Sequence, residues 1–141
     1  MNLSKLRLCV TALLALIGSA LPGLAQQAIF DITAVRNACT FNACNTCKPE
    51  ITKAITVIKT ANLKPLQTNE QLALLAAYIL QAAKECPDQQ RDIGASMIAL
   101  ANASSDTTQQ AALTQLGDQI SNQTLPLTDI PFNVPVAVSP N

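Results

Sequence analysis

Residues 65–87 read PLQTNEQLALLAAYILQAAKECP, and the reading of this stretch decides the fold. Leu72, Leu74, Leu75, Ala76, Ala77, Tyr78, Ile79 and Leu80 leave almost no polar face. A helix that is apolar all round belongs in the middle of a bundle. Thr68 with Gln71 reads as a capping box, so the pattern predicts a helix from Asn69 to about Glu85, between a break at Pro65 and a stop at Pro87. Such a helix needs others around it, and the flanking sequence supplies them.

Upstream, Ala28, Ile29, Ile32, Val35 and Cys39 recur at helical spacing and predict a first helix. Asn42, Asn45 and Thr46 mark a loop. Pro49 suits a first helical position and Glu50 complements the positive end of the helix dipole. Ile51, Ala54, Ile55, Ile58 and Ala61 then form the stripe of a second helix that ends near Asn62. The β-branched run Ile55–Ile58 also suits a strand, but the 3.6-residue period favours helix. Downstream, Ile93, Met97, Leu100 and Ala101 share one face of a fourth helix, which stops at Ser104-Ser105. Asp106 with Gln109 is a second N-cap signature. Leu113, Leu116 and Ile120 give a fifth helix, with Gly117 inside it at a cost of about 1 kcal/mol. The fold class expected is all-α: a small disulfide-stapled bundle of four to five helices.

The ends differ from this middle. Lys5 and Arg7 precede the uncharged run Leu8–Leu21, and Pro22-Gly23 and Ala25 complete a secretory pattern, so residues 1–25 read as a signal peptide cleaved before Gln26. The uncharged stretch from Leu8 to Phe30 is long enough to span a bilayer, but its strongly apolar part is short and ends at Pro-Gly, which argues against a lasting membrane anchor. Residues 26–124 form the helical domain. Residues 125–141 hold four prolines (Pro126, Pro131, Pro135, Pro140) and stay apolar through Leu127, Ile130, Phe132, Val134, Val136 and Val138. That is an extended Pro-rich tail, lying across the bundle or serving as an arm for a partner.

Composition narrows the function. The 141 residues carry nine basic and nine acidic side chains and no histidine. Without His there is no Ser-His-Asp triad, no Cys-His dyad and no imidazole metal site. Balanced charge argues against nucleic acid as a partner. Asp31, Glu50, Glu70, Glu85, Asp88, Asp92, Asp106, Asp118 and Asp129 are the acids; Glu50, Glu70, Asp88 and Asp106 read as helix-start residues rather than a catalytic pair. Tyr78, the one tyrosine, reads as a core residue with its hydroxyl at a helix junction, against the alternative of a ligand contact. Asn102 and Asn122 head N-x-S/T acceptor triplets for glycosylation, relevant in a eukaryotic source.

The cysteines are the one constellation with geometry in it. The mature chain keeps Cys39, Cys44, Cys47 and Cys86, an even count that in an exported chain reads as two disulfides. An antiparallel hairpin of the second and third helices returns Cys86 to the junction, where a bond to Cys44 or Cys47 closes about 40 residues. Cys47 is the favoured partner, because it stands immediately before the second helix; the other two cysteines then pair locally. Three functional readings compete: a redox pair at Cys44-x-x-Cys47, a plant-type [2Fe–2S] ligand spacing, and a four-cysteine zinc site. The lack of a βαβ setting and the oxidising compartment disfavour them, so no cofactor or metal is expected. The stretch Cys39–Thr46 (CTFNACNT) resembles a short piece of the elicitins, secreted helical sterol-binding proteins. The likeness covers eight of 141 residues, that family's six-cysteine framework is missing, and no residue role carries over.

Three functions follow in order. The first is an exported, non-enzymatic helical interaction or structural module, secreted or periplasmic, that binds another macromolecule or itself. The second is a carrier of a small apolar ligand, of lipid or sterol type, between the helices. The third is a thiol redox protein using the C-x-x-C.

Overall fold

The computed structural model describes residues 27–124 and Pro126. The expected signal peptide (1–25) and the tail (125–141, apart from Pro126) lie outside the described residues. Five α-helices follow one another: α1 (Ile32–Ala38), α2 (Cys47–Thr60), α3 (Pro65–Glu85), α4 (Gln90–Ala101) and α5 (Thr107–Ser121). Single 3-10 turns at Cys44–Thr46 and Pro87–Gln89 lead into α2 and α4. Among the described residues there is no strand, and the chain is an all-α bundle stapled by two disulfides.

Helix α3 takes the central place. It packs on α1, α2, α4 and α5. Leu72, Leu75, Ala76, Ile79, Leu80, Ala82 and Ala83 are buried along it. They meet Val35 of α1, Ile51, Ile55 and Ile58 of α2, Ile93, Met97 and Leu100 of α4, and Leu113 and Ile120 of α5 in one apolar core. Each helix offers most of the stripe that its periodicity marks; the exceptions are Ala28 and Ile29, which lie before α1 with Ile29 exposed, and Ala61, which is exposed just past the end of α2. The β-branched run in α2 is helical, with Ile55 and Ile58 buried and the hydroxyls of Thr52, Thr56 and Thr60 each donating to the carbonyl four residues back at 2.9 Å. Those bonds occupy Thr side chains that otherwise compete for the backbone. Asn62, at φ 50°, supplies the left-handed residue that ends the helix.

Several boundaries differ from the sequence reading. Helix α1 opens at Ile32, not near Ala28, because Asp31 caps it: its carboxylate accepts from the Ala34 N–H at 2.8 Å. Helix α3 opens at Pro65, four residues before Asn69. Proline is at home at the first helical position, where its missing N–H has no partner to lose, and the Gln67 side chain accepts from the Lys64 N–H at 3.3 Å. Glu70 is therefore well inside α3. Gln71, read as a capping partner of Thr68, is buried and clamps the segment ahead of α1. Its oxygen accepts from the Ile29 N–H at 3.0 Å and its amide donates to the Gln27 carbonyl at 3.2 Å. Helix α2 opens at Cys47, two residues before Pro49, within the first turn where proline costs no helix bond.

The α4–α5 hairpin is closed by a buried polar cluster. The Asp106 carboxylate caps α5 by accepting from the Gln109 N–H at 2.7 Å. The Gln109 side chain turns inward, donating to the Asn69 carbonyl at 2.9 Å and accepting from the Ser104 hydroxyl at 2.7 Å. The Asn69 side-chain oxygen accepts from the Ser105 N–H at 3.1 Å. No buried side-chain polar atom among the described residues is left without a partner, so the hydrogen bonds of this cluster offset the cost of burying it while they fix the register of α3 against the hairpin.

Candidate functional site

The chemistry in the sequence converges on one end of the bundle, where α1 ends, α2 begins and α3 returns. Cys39 bonds to Cys47 and Cys44 bonds to Cys86, with Cα separations of 4.5 and 5.7 Å. The two bonds interlock along the sequence: Cys44, inside the loop closed by Cys39–Cys47, is tied to the end of α3. Cys86 thus returns to the junction as the hairpin requires, but its partner is Cys44 and not Cys47. The reason is the path of the loop. Tight bonds from the Ala43 N–H to the Thr40 carbonyl (2.8 Å) and from the Thr46 N–H to the Ala43 carbonyl (2.9 Å) reverse the chain before α2. The reversal lays Cys47, 1% exposed, against the end of α1 and turns Cys44 towards α3.

All four thiols required by the redox, iron–sulfur and zinc readings are engaged, and the two cysteines of the C-x-x-C lie in different bonds. Denatured protein, titrated with a thiol reagent in the absence of reductant, is expected to show none of these four reactive. Peptide mapping without reduction should join the Cys44 and Cys86 peptides. A Cys47–Cys86 or Cys44–Cys47 linkage contradicts the junction described here.

The double staple presents the loop Thr40–Ala43. The Thr46 hydroxyl braces it from below, 2.8 Å from the Ala43 carbonyl and 3.3 Å from that of Ala38, and the Thr40 hydroxyl donates to the Asn37 carbonyl at 3.0 Å. At its tip Phe41 is 76% exposed, the most exposed large apolar side chain among the described residues. Beside the loop an open cleft of about 150 Å³ runs between α1 and α3. Val35, Cys39 and Tyr78 line it with Arg36, Asn37, Thr40, Gln81 and Glu85. Tyr78 is half-buried rather than a full core residue: its ring meets Phe30 edge-to-face at 6.5 Å and it also borders the cleft. Arg36 and Glu85 are exposed on opposite walls, and neither is in an ion pair among the described residues; the pairs there are Lys48–Asp92 at 2.8 Å and Glu50–Lys53 at 3.6 Å.

Other candidates are dispersed. Glu50 lies in the first turn of α2 and Asp106 caps α5, as expected of helix-start acids, whereas Asp88 lies in the 3-10 turn before α4. Asn102 and Asn122 are exposed at the C-terminal caps of α4 and α5. A second cleft, of about 100 Å³ and mostly apolar, lies between residues 29–35 and α2, with Ile29, Phe30, Ala54 and Val57 on its walls. Among the described residues no helix is long and apolar enough to cross a membrane.

Periodicity could not single out Phe41, Arg36 or Glu85. The one available signal was an aromatic residue placed between closely spaced cysteines in an Asn-rich loop. No family model, curated protein or solved structure matches the chain.

Proposed function

We propose that this chain is an exported, non-enzymatic interaction module, secreted or periplasmic and processed before Gln26, whose working face is the disulfide-locked loop at Phe41. The observation that carries this reading is the loop itself: a large aromatic side chain held in solvent by two interlocked disulfides. Exposed aromatics on preorganised backbone are what interfaces use, since burying the ring gains free energy and the rigid loop costs little to order. Disulfides persist in oxidising compartments, which supports the export reading of residues 1–25. The two clefts found among the described residues, of about 150 and 100 Å³, are smaller than the roughly 300–1,000 Å³ typical of ligand pockets, which supports the module over the lipid carrier.

The test is native mass spectrometry of exported material, combined with a photo-crosslinking residue in place of Phe41 and, as a control, of the exposed Thr56. The mature chain should begin at Gln26, carry no lipid, and give macromolecular adducts from position 41 only. A stoichiometric lipid or sterol instead establishes the carrier, and turnover in an insulin-reduction assay establishes the redox protein. A chain beginning at Met1 in the membrane fraction removes the export reading.

A further inference from the structure

We propose that the partner of this face is a second copy of the chain, in a two-fold dimer where Phe41 of each copy seats in the α1–α3 cleft of the other. The proposal rests on the reading of the loop as an interaction surface and names its occupant. A two-fold interface uses the same patch twice, so the patch must complement itself in shape and in charge. This one does. It carries a knob, Phe41, and beside it a hole of about 150 Å³. A cavity of about 150 Å³ is large enough to take a benzene ring. The hole is open and its surface is more polar than apolar; its apolar part comes from the half-buried Tyr78 ring, with Val35 and Cys39 nearly buried beneath, and it is this part that the incoming phenyl group meets.

The charges match in the same way. Arg36 on α1 and Glu85 at the end of α3 stand on opposite walls, exposed and outside any ion pair among the described residues. A face with two like charges repels itself across a two-fold axis. A face with one of each sets Arg36 against the partner's Glu85 and Glu85 against the partner's Arg36. The remainder of the molecule opposes the encounter little: without Lys5 and Arg7 the processed chain keeps seven basic and nine acidic residues, a formal net charge of −2, and so small a charge gives weak self-repulsion. The two disulfides fix the knob relative to the hole, so docking does not require the loop to become ordered first.

Sedimentation velocity of the purified, oxidised chain over a concentration series reads this directly. The wild type should dimerise reversibly. Phe41→Ala, at a solvent-exposed position that the fold does not need, should weaken the dimer by roughly tenfold or more, as loss of a central aromatic anchor does. Arg36→Glu and Glu85→Arg should each weaken it, since either one sets like charges together at both symmetry-related pairs. The double variant Arg36→Glu/Glu85→Arg should return to wild-type association. The proposal is overturned by a wild type that stays monomeric throughout, by a dimer indifferent to Phe41→Ala, or by a double variant that fails to recover. A monomeric wild type that still forms Phe41-dependent adducts with a different protein overturns the dimer alone and leaves the interaction module standing.

Discussion

Cys86→Ser is expected to be among the most damaging single substitutions in the bundle, and clearly worse than Cys39→Ser. The Cys44–Cys86 bond spans 42 residues and the Cys39–Cys47 bond spans 8. In the chain-entropy model these correspond to about 4 and about 2.5 kcal/mol of restriction on the unfolded chain, so the two variants should differ by about 1.5 kcal/mol. Cys86 is 1% exposed and Cys39 is 5% exposed, so a new buried hydroxyl adds a similar cost to both and the comparison stands. For a domain of this size, each kcal/mol moves the melting temperature by roughly 4–8 °C. Thermal unfolding of the two variants checks the order, and equal or inverted losses refute it.

The same bond offers a second readout. Cys86→Ser leaves the thiol of Cys44, which is half-buried, whereas Cys44→Ser leaves that of Cys86, which is buried. Both variants lack one bond. Only the first should react promptly with a thiol reagent while folded; the second should react at the rate of unfolding. If the freed thiol proves to be Cys47, the junction is wrongly connected.

Gly94→Ala is the other large effect, and its sign is the informative part. In an exposed helix interior, alanine is preferred to glycine by about 1 kcal/mol. Here α4 and α5 touch backbone to backbone. A Cβ on Gly94 would stand 2.5 Å from the Gly117 carbonyl oxygen and 2.8 Å from the Ser121 nitrogen, with the Ser121 hydroxyl closer still. Two of these neighbours are main chain and cannot swing aside, so the helices must separate. Overpacking of this kind costs about 1–3 kcal/mol, and the two rigid contacts place Gly94→Ala at the upper end. Gly117→Ala should cost less. Its nearest neighbour is Ile98 Cγ1 at 2.6 Å, a side-chain atom with some freedom, although the Gly94 carbonyl stands at 2.8 Å. Urea unfolding of both variants tests this, and a Gly94→Ala protein as stable as the wild type would falsify the close α4–α5 contact.

Gly117 shows what the sequence could and could not say. On the page it is a helix former's defect, a glycine inside α5 with a cost attached. In the structure it is one half of a glycine pair whose other half, Gly94, is 23 residues away on the neighbouring helix. Gln71 shows the same shift: its spacing from Thr68 reads as a cap, but its amide serves the backbone of residues 27–29. In both cases a local rule gave a plausible role and a distant segment took the residue for another.

The sequence by itself determined the all-α class, a count of four to five helices, most of the faces they bury and the central position of the most apolar one. These follow from periodicity and helix-ending residues, which are properties of a few consecutive turns. It also determined that Cys86 must come back to the Cys39–Cys47 junction, because helix rise fixes the length of a hairpin. Only the tertiary structure decided which cysteine receives it. Cys44 and Cys47 are one turn apart, and the choice between them depends on the reversal at Thr40–Ala43 and on how α1 lies against α2. The same reversal puts Phe41 in solvent beside a cleft whose walls come from residues about forty positions apart. A binding face is made of distances between segments, and the pattern along one segment does not contain them.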